Sequence, residues 1–558
     1  MTTADTIMRR YVPVGERQVH YRVCGEGPAV VLLHDSPRSS RLHTATMKML
    51  ASRFQVFALD TPGYGSSEPL GLAEATIPDF AQALGEALTA LGLEGAPLYA
   101  THTSAKIALA LAARGGTMPL LVLDGLAIPD GPAPEDFIAA YMRPFRPDPA
   151  GAYLASEWVR VRDMLRWFPW FSHKRESRMA IDTPNAEWLA DYAADLFSAG
   201  PHYSDAYAAA MRWSPKDDLL AVTVPTCVAA RSDDVLVGFL DKVPVQANPA
   251  LTVERLGTDR GEWLEWLAAK LESAAGVVAP APKATPATAP FGYTDLPEGQ
   301  LHWRYRPGSA GRTLLILSAP TTLEAHGWAE ALAGERPTLV PDLPGFGLSD
   351  PLARPDANGL ADALAALVRE RGLDQVDVLA LGLAAPLGAA LAARHPEVTA
   401  TLAIHGAPPL DGAPSEAERY CPPLAFDPQA GTHLHSLWHI LRDGQVQWPW
   451  FDGSAGAARK DGVLADATSM HAALTGTITQ LASYGEGVTA ALAAASRAHW
   501  QRVTIPVLVS TGEDPSQHEA EAIAALLPGG QTLALPVGPA EAAPLLACAL
   551  DALRKTCA

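Results

Sequence analysis

The feature that most constrains this chain is a repeat. Asp60-Thr-Pro62-Gly63-Tyr64-Gly65-Ser-Ser67 returns as Asp342-Leu-Pro344-Gly345-Phe346-Gly347-Leu-Ser349, 282 residues later (342 minus 60). His20-Tyr-Arg22 returns at the same offset as His302-Trp-Arg304, and Trp158, Arg162-Asp163 and Pro169-Trp170-Phe171 return 280 residues on (438 minus 158) as Trp438, Arg442-Asp443 and Pro449-Trp450-Phe451. Matches spread along the chain at a nearly constant offset require two copies of one domain, so any fold proposed must be one that a chain can adopt twice. Between the copies Pro280, Pro282, Pro286 and Pro290 fall in an Ala/Thr-rich stretch. Proline at that density favours an extended, semi-rigid spacer. The expected division is a first domain over 1–276, a linker over 277–291 and a second domain over 292–558.

Within each copy the hydrophobic pattern alternates. Val30–Leu33, Gln55–Leu59, Leu98–Ala100, Leu120–Leu123 and Thr223–Val228 are short apolar runs. Such runs, separated by the helical periodicity of Ile77–Leu91 and Lys106–Arg114, predict buried parallel strands joined by right-handed crossovers. The alternation stops after Asp130, where a Trp-rich, mostly helical insertion is expected over about 130–214. Its counterpart in the second copy is expected over about 408–498. The fold class is α/β: two tandem, mostly parallel, doubly wound sheets, each with a helical cap.

Leu98-Tyr-Ala100-Thr-His102-Thr-Ser104-Ala reads as a strand, a turn of small residues and an Ala-rich helix, and Val378-Leu-Ala380-Leu-Gly382-Leu-Ala384-Ala repeats the layout. That is the plan of the nucleophile elbow. With His34-Asp35-Ser36-Pro37 and Asp60-Thr-Pro-Gly-Tyr-Gly-Ser-Ser, it makes the chain resemble the α/β-hydrolase superfamily over nearly its full length, twice. The first copy is similar to the epoxide-hydrolase- and dehalogenase-like branch. Such motifs speak for the fold and weakly for the substrate.

The resemblance implies a nucleophile at the elbow, an acid, a late histidine and an oxyanion hole. The first copy has His102 at the elbow, beside Thr103. Two acid positions are filled, Asp124 after the strand following the elbow helix and Asp234 in the later Asp233-Asp234 pair. Either carboxylate would fix the His102 tautomer and raise its basicity; each is also an ordinary turn-capping residue. The late histidine is missing, since Gly257-Thr-Asp259-Arg260 stands in its turn. Asp35 replaces the usual glycine of the oxyanion turn, where a carboxylate would oppose a developing anion but could instead face His102. His34, Thr103, Trp158, Arg162 and Trp170 are the candidate substrate-binding residues, with cap-to-core anchoring as the alternative for Arg162 and Asp163. The second copy has Gly382, which carries no side chain, and lacks the His34 turn and the late histidine.

These residues give an expected enzyme acting on a small organic substrate by hydrolysis or base-catalysed lyase-type chemistry. The first copy would work through His102 and a carboxylate, with the second a non-catalytic pseudo-domain. The alternative is a catalytically inactive ligand-binding or scaffold pseudo-hydrolase. No cofactor and no metal are expected, since the five cysteines are unclustered and His435 and His439 lack the context of a metal pair. A net charge of −19 leaves no basic surface for nucleic acid. No apolar run reaches the roughly 18 residues of a membrane span, and the N-terminus has no signal-peptide pattern. A cytoplasmic protein arranged as an intramolecular pseudo-dimer is the expectation.

Overall fold

The computed structural model describes residues 6–557 except 180–181, 282–284, 413, 461 and 537. Part of the expected linker, 282–284, therefore lies outside the described residues. Contacts divide the chain into two units, Met1–Arg146 with Glu157–Ala284, and Pro147–Ser156 with Thr285–Ala558. The short stretch 147–156, which the sequence placed in the first cap, groups with the second unit.

Unit 1 holds an eight-stranded sheet: β1 (Met8–Val14), β2 (Arg17–Cys24), β3 (Ala29–Leu33), β4 (Gln55–Leu59), β5 (Leu98–Thr101), β6 (Leu121–Asp124), β7 (Thr226–Arg231) and β8 (Leu251–Leu256). Their order is β1-β2-β4-β3-β5-β6-β7-β8. The β1–β2 and β2–β4 pairs are antiparallel and the remaining pairs parallel. Unit 2 repeats this with β9 (Phe291–Leu296), β10 (Gly299–Arg306), β11 (Leu314–Leu317), β12 (Thr338–Pro341), β13 (Val376–Leu381), β14 (Thr399–His405), β15 (Val507–Thr511) and β16 (Gly530–Ala534). Its order, β9-β10-β12-β11-β13-β14-β15-β16, is the same. Two α/β-hydrolase folds thus follow one another in the chain.

The central strands are apolar at every position because helices cover both faces of each sheet. In β11, Leu315 and Leu317 join one core cluster while Leu314 and Ile316 join another, which is the two-residue period of a strand buried on both sides. The helix read from periodicity over Ile77–Leu91 spans those residues, with a Thr76/Asp79 capping box at its start and Gly92 in the left-handed region at its end. In both units the run between the sixth and seventh strands is a helical insertion. In unit 1 it includes Glu135–Tyr141, Ala152–Asp163, Ala186–Ala199 and Asp205–Arg212.

The repeated Asp-x-Pro-Gly-x-Gly motif is explained by packing. Asp60 Oδ2 accepts from His20 Nδ1 at 2.7 Å, and Ser67 Oγ donates to the Asp60 carbonyl at 2.9 Å. Asp342 accepts from His302 at 2.9 Å, and Ser349 Oγ donates to its carbonyl at 2.6 Å. Burial pushes His20 down to about 4, with Asp60 only partly offsetting it, so the ring is neutral. A Cβ on Gly65 would lie 2.2 Å from Asp60 Oδ2, and one on Gly347 2.5 Å from Asp342 Oδ2. Both glycines also have positive φ, +56° and +59°. The motif is a buried clamp in both units.

Candidate functional site

The site of unit 1 starts at the turn between β5 and the elbow helix Thr103–Ala113. His102 occupies that turn with φ +45° and ψ −106°. Such a backbone is uncommon for a non-glycine residue and is found where a fold must lift one side chain out of its surroundings. Its amide donates to the Asp124 carbonyl at 3.0 Å, which ties the turn to the end of β6.

The ring extends over Gly125 to the acid loop after β7. His102 Nε2 donates to Asp234 Oδ2 at 2.9 Å. Asp234 is oriented in turn by the Leu236 amide, which donates to Oδ1 at 2.7 Å. Burial alone would lower the His102 pKa. The hydrogen bond and charge of Asp234, joined by the charges of Asp35 and Asp124, outweigh burial and raise it to about 9. Asp234 is held below the ordinary carboxylate range, its own burial being outweighed by His102. At neutral pH this is an imidazolium–carboxylate pair. Nδ1 makes no hydrogen bond among the described residues, and the side chain keeps 36% of its surface exposed.

Gly125 is a positioning residue that the sequence reading did not single out. A Cβ there would meet His102 Cδ2 at 2.5 Å and Nε2 at 2.6 Å, so the ring lies directly on its Cα. Its φ of +72° and its place after Asp124 are the signal that could have marked it.

The other two carboxylates do not bond the histidine. Asp124 accepts from the Tyr99 hydroxyl at 2.8 Å and from Trp263 Nε1 at 3.1 Å. Burial raises its pKa, and these two donors only partly counter that. Trp263 comes from the helix Arg260–Glu272, which follows the turn where the late histidine was sought. Asp35 does not form the dyad with His102 that its place suggested. Its Oδ1 is buried without a hydrogen-bond partner, and its charge acts on His102 from a distance. The turn that carries Asp35 is fixed to the insertion by Arg38, whose Nε donates to Asp195 Oδ2 at 2.8 Å and whose guanidinium lies 5.4 Å from the Trp188 ring centroid.

Most of the expected substrate contacts are placed in supporting roles. His34 is 1% exposed; Nδ1 donates to the Asp35 carbonyl at 2.7 Å and Nε2 accepts the Thr61 amide at 2.9 Å, so both ring nitrogens are used by the backbone. Thr103 is buried at the first position of the elbow helix. Ser104 Oγ donates to the His34 carbonyl. Trp158 is buried and Arg162 half-buried in the insertion. Trp170 Nε1 donates to the Tyr141 carbonyl at 2.9 Å, and in unit 2 Trp450 donates to the Tyr420 carbonyl at the same distance. The repeated Pro-Trp-Phe is therefore a structural fastening. Asp163 bonds His173 Nε2 at 2.9 Å within the insertion, so it does not pin that insertion to the sheet.

In unit 2 the elbow backbone is the same and its surroundings differ. Gly382 has φ +47°, and a Cβ there would meet the Trp448 ring at 3.1 Å. Arg459 Nη1 donates to Glu324 Oε1 at 2.6 Å and its Nε lies 3.7 Å from Asp514, the remnant of the acid loop. At the end of β14, where β6 ends in Asp124, His405 bonds Ser510 Oγ at 3.0 Å and is pushed down to about 4 by burial. An indole and an ion-paired arginine thus occupy the ground above this elbow. No group of His, Cys, Asp and Glu able to hold a metal forms among the described residues, and none of their helices is long and apolar enough to cross a membrane.

No family model matches the chain. A stretch of 64 residues is 39% identical to the fluoroacetate dehalogenase of a Burkholderia species. It covers 11% of this chain and 21% of that protein, so the chain spans about a fifth of the length of the curated relative it matches. Among solved structures, an epoxide hydrolase from Vigna radiata is similar at a TM-score of 0.39 and 17% identity, covering 49% of this chain and 98% of that one. A haloalkane dehalogenase from Agrobacterium tumefaciens is similar at 0.37 and 18%, covering 49% and 98%. An esterase from Thermogutta terrifontis is similar at 0.37 and 18%, covering 49% and 100%.

Proposed function

We propose that this tandem α/β-hydrolase-fold chain is an enzyme whose first unit acts on a small organic substrate through His102 and Asp234. The second unit is a non-catalytic pseudo-domain that serves the first as an intramolecular partner, in a cytoplasmic protein. The observation that carries this reading is the His102–Asp234 hydrogen bond at a backbone turn that projects one side chain, with the other ring nitrogen left without a protein partner. A histidine kept only for packing would have both nitrogens satisfied by the fold, as His34 has.

The chemistry follows from charge. Near pH 7 the ring is protonated, so its first capacity is to donate a proton from Nδ1 or to stabilise negative charge on a substrate. The base form grows as pH approaches about 9. Asp234 holds the ring orientation through either state, the part a carboxylate plays beside any catalytic imidazole. Asp35 places a negative charge at the turn where an oxyanion would be held, and that disfavours acyl transfer relative to proton transfer. Base-catalysed elimination or water activation is accordingly the reaction class, with hydrolysis proceeding through an activated water in place of a covalent elbow ester.

A second reading, a ligand-binding pseudo-hydrolase, is favoured by Trp263, whose bond to Asp124 removes that acid from catalysis. One experiment separates the two. A panel of esters, lactones and epoxides is offered to wild type and to His102→Ala. Turnover by wild type that the variant lacks supports the enzyme; saturable binding with no turnover in either supports the binding protein.

A further inference from the structure

The insertion of unit 1 contains a buried charge that neither the fold nor the His102 pair requires. Arg160, on the helix Ala152–Asp163, is 1% exposed. It forms an ion pair with Glu157, which is also buried, and its guanidinium stacks on the Tyr203 ring at 4.1 Å. Yet Arg160 Nε and Nη1 donate no hydrogen bond. Buried guanidinium N–H groups are costly to leave unsatisfied, and each such group calls for an explanation, an ordered water or a ligand among them. Glu157 is in addition shared, because Arg143 Nη2 donates to its other oxygen at 3.1 Å. Two guanidiniums on one carboxylate leave a positive charge in excess.

The second unit shows that the helix does not need these charges. At the 280-residue offset Glu157 corresponds to Leu437 and Arg160 to Ile440, while Trp158, Arg162 and Asp163 correspond to Trp438, Arg442 and Asp443. Leu437 and Ile440 are both buried, so the same helix packs with apolar residues at those places. Apolar replacement of a buried ion pair is commonly neutral or stabilising, which leaves stability a poor reason for the charges of unit 1.

Arg160 borders a space of about 220 Å³ that is lined also by Pro37, Tyr141, Met164, Tyr203 and Tyr207. That is below the roughly 300 Å³ at which drug-sized pockets begin, so its occupant has only a few heavy atoms. The space lies on the elbow side of the insertion, since Asp35 acts by its charge on Tyr207 as well as on His102. A second negative charge would be repelled near Asp35, so an anion must carry its charge at the Arg160 end. The planar fork of free N–H groups suits a planar carboxylate better than a spherical ion.

We infer that this space is a binding site for a short-chain monocarboxylate, anchored by Arg160 with its neutral end toward the elbow. The inference deepens the enzymatic reading above by naming the substrate class of that site, and it rests on that reading for its role in turnover. Calorimetry of the full-length protein tests it, with sodium acetate titrated beside acetamide and sodium chloride at constant ionic strength. Saturable acetate binding, roughly 10-fold tighter than either control, is expected from a charge-assisted bidentate contact. Arg160→Met should abolish that preference, and Glu157→Gln, which frees the guanidinium, should tighten acetate binding. Should Arg160→Met not fold, Glu157→Gln still decides. The proposal is overturned if acetate does not bind saturably, if acetamide or chloride binds as well, or if Glu157→Gln leaves the affinity unchanged. His102→Ala separates the two readings: acetate binding retained in a protein that turns over nothing keeps this site and ends the enzymatic reading, whereas turnover without acetate binding does the reverse.

Discussion

At residue 102 the backbone turns with φ +45° and at residue 382 with φ +47°, yet the two elbows have opposite contents. The first holds an imidazole that reaches across Gly125 to Asp234. The second holds no side chain, and the Trp448 ring lies where one would begin. A strained turn is tolerated without a side chain to display because glycine adopts it at little cost, so the turn belongs to the fold and not to the chemistry. What distinguishes a working elbow from an empty one is the ground above it. That ground is set by the acid loop and the insertion, which diverged between the units, whereas the sheet and the Asp60 and Asp342 clamps did not.

The largest expected effect comes from making the first elbow like the second. His102→Gly should lower turnover by about 10²–10⁴-fold, the usual contribution of a positioned acid or base. It should leave thermal stability nearly unchanged, because relief of the positive φ, about 1 kcal/mol, offsets the lost bond to Asp234. Retained turnover would move the chemistry away from this residue, and Thr103 would be the next to replace.

What the units share should fail alike. Gly65→Ala drives a methyl group into the Asp60 carboxylate at a positive φ, and Gly347→Ala does the same at Asp342. Each should cost about 3 kcal/mol through strain and overpacking, read by denaturant unfolding. Unequal losses would show that the clamp supports the two units differently.

The converse exchange is expected to be smaller. Gly382→His has no open ground to enter, since Trp448 is in contact with the position, and should destabilise by about 1–2 kcal/mol without producing activity. A gain of turnover would mean that unit 2 is closed less firmly than its packing indicates.

The smallest effect is electrostatic. Because the His102 pKa is raised in the fold to about 9, its contribution to stability is fully present below its ordinary 6.5 and is lost as pH rises through about 9. Asp234 is depressed, so its part is present above the ordinary carboxylate range and lost in acid. The melting temperature of wild type should therefore fall toward that of His102→Gly between pH 7 and pH 10, and Asp234→Asn should lower the His102 titration midpoint seen by NMR. A midpoint that stays near 9 in that variant would assign the shift to Asp35 and Asp124.

The sequence by itself determined the duplication, the class of both sheets and the position of the elbow. Each of these is written in local pattern: apolar runs of strand length, a helix with its cap residues over Ile77–Leu91, and a motif repeated at a constant offset. It also identified His102 and its three possible carboxylates, because residue type and place along a known layout suffice for that. Only the tertiary structure decided which carboxylate bonds the ring. Asp35, Asp124 and Asp234 are 67, 22 and 132 residues from His102 in the chain (102 minus 35, 124 minus 102, 234 minus 102), and spacing carries no information about which loop closes over which strand end. Tyr99 and Trp263 claimed Asp124, and nothing local to either residue announces that. Nor does anything local announce that Arg160 is buried: an arginine between two valines of a helix is ordinarily a solvated residue. Its burial beside Tyr203 and Tyr207 follows from how the insertion folds back on itself, a long-range packing outcome that only the folded chain contains.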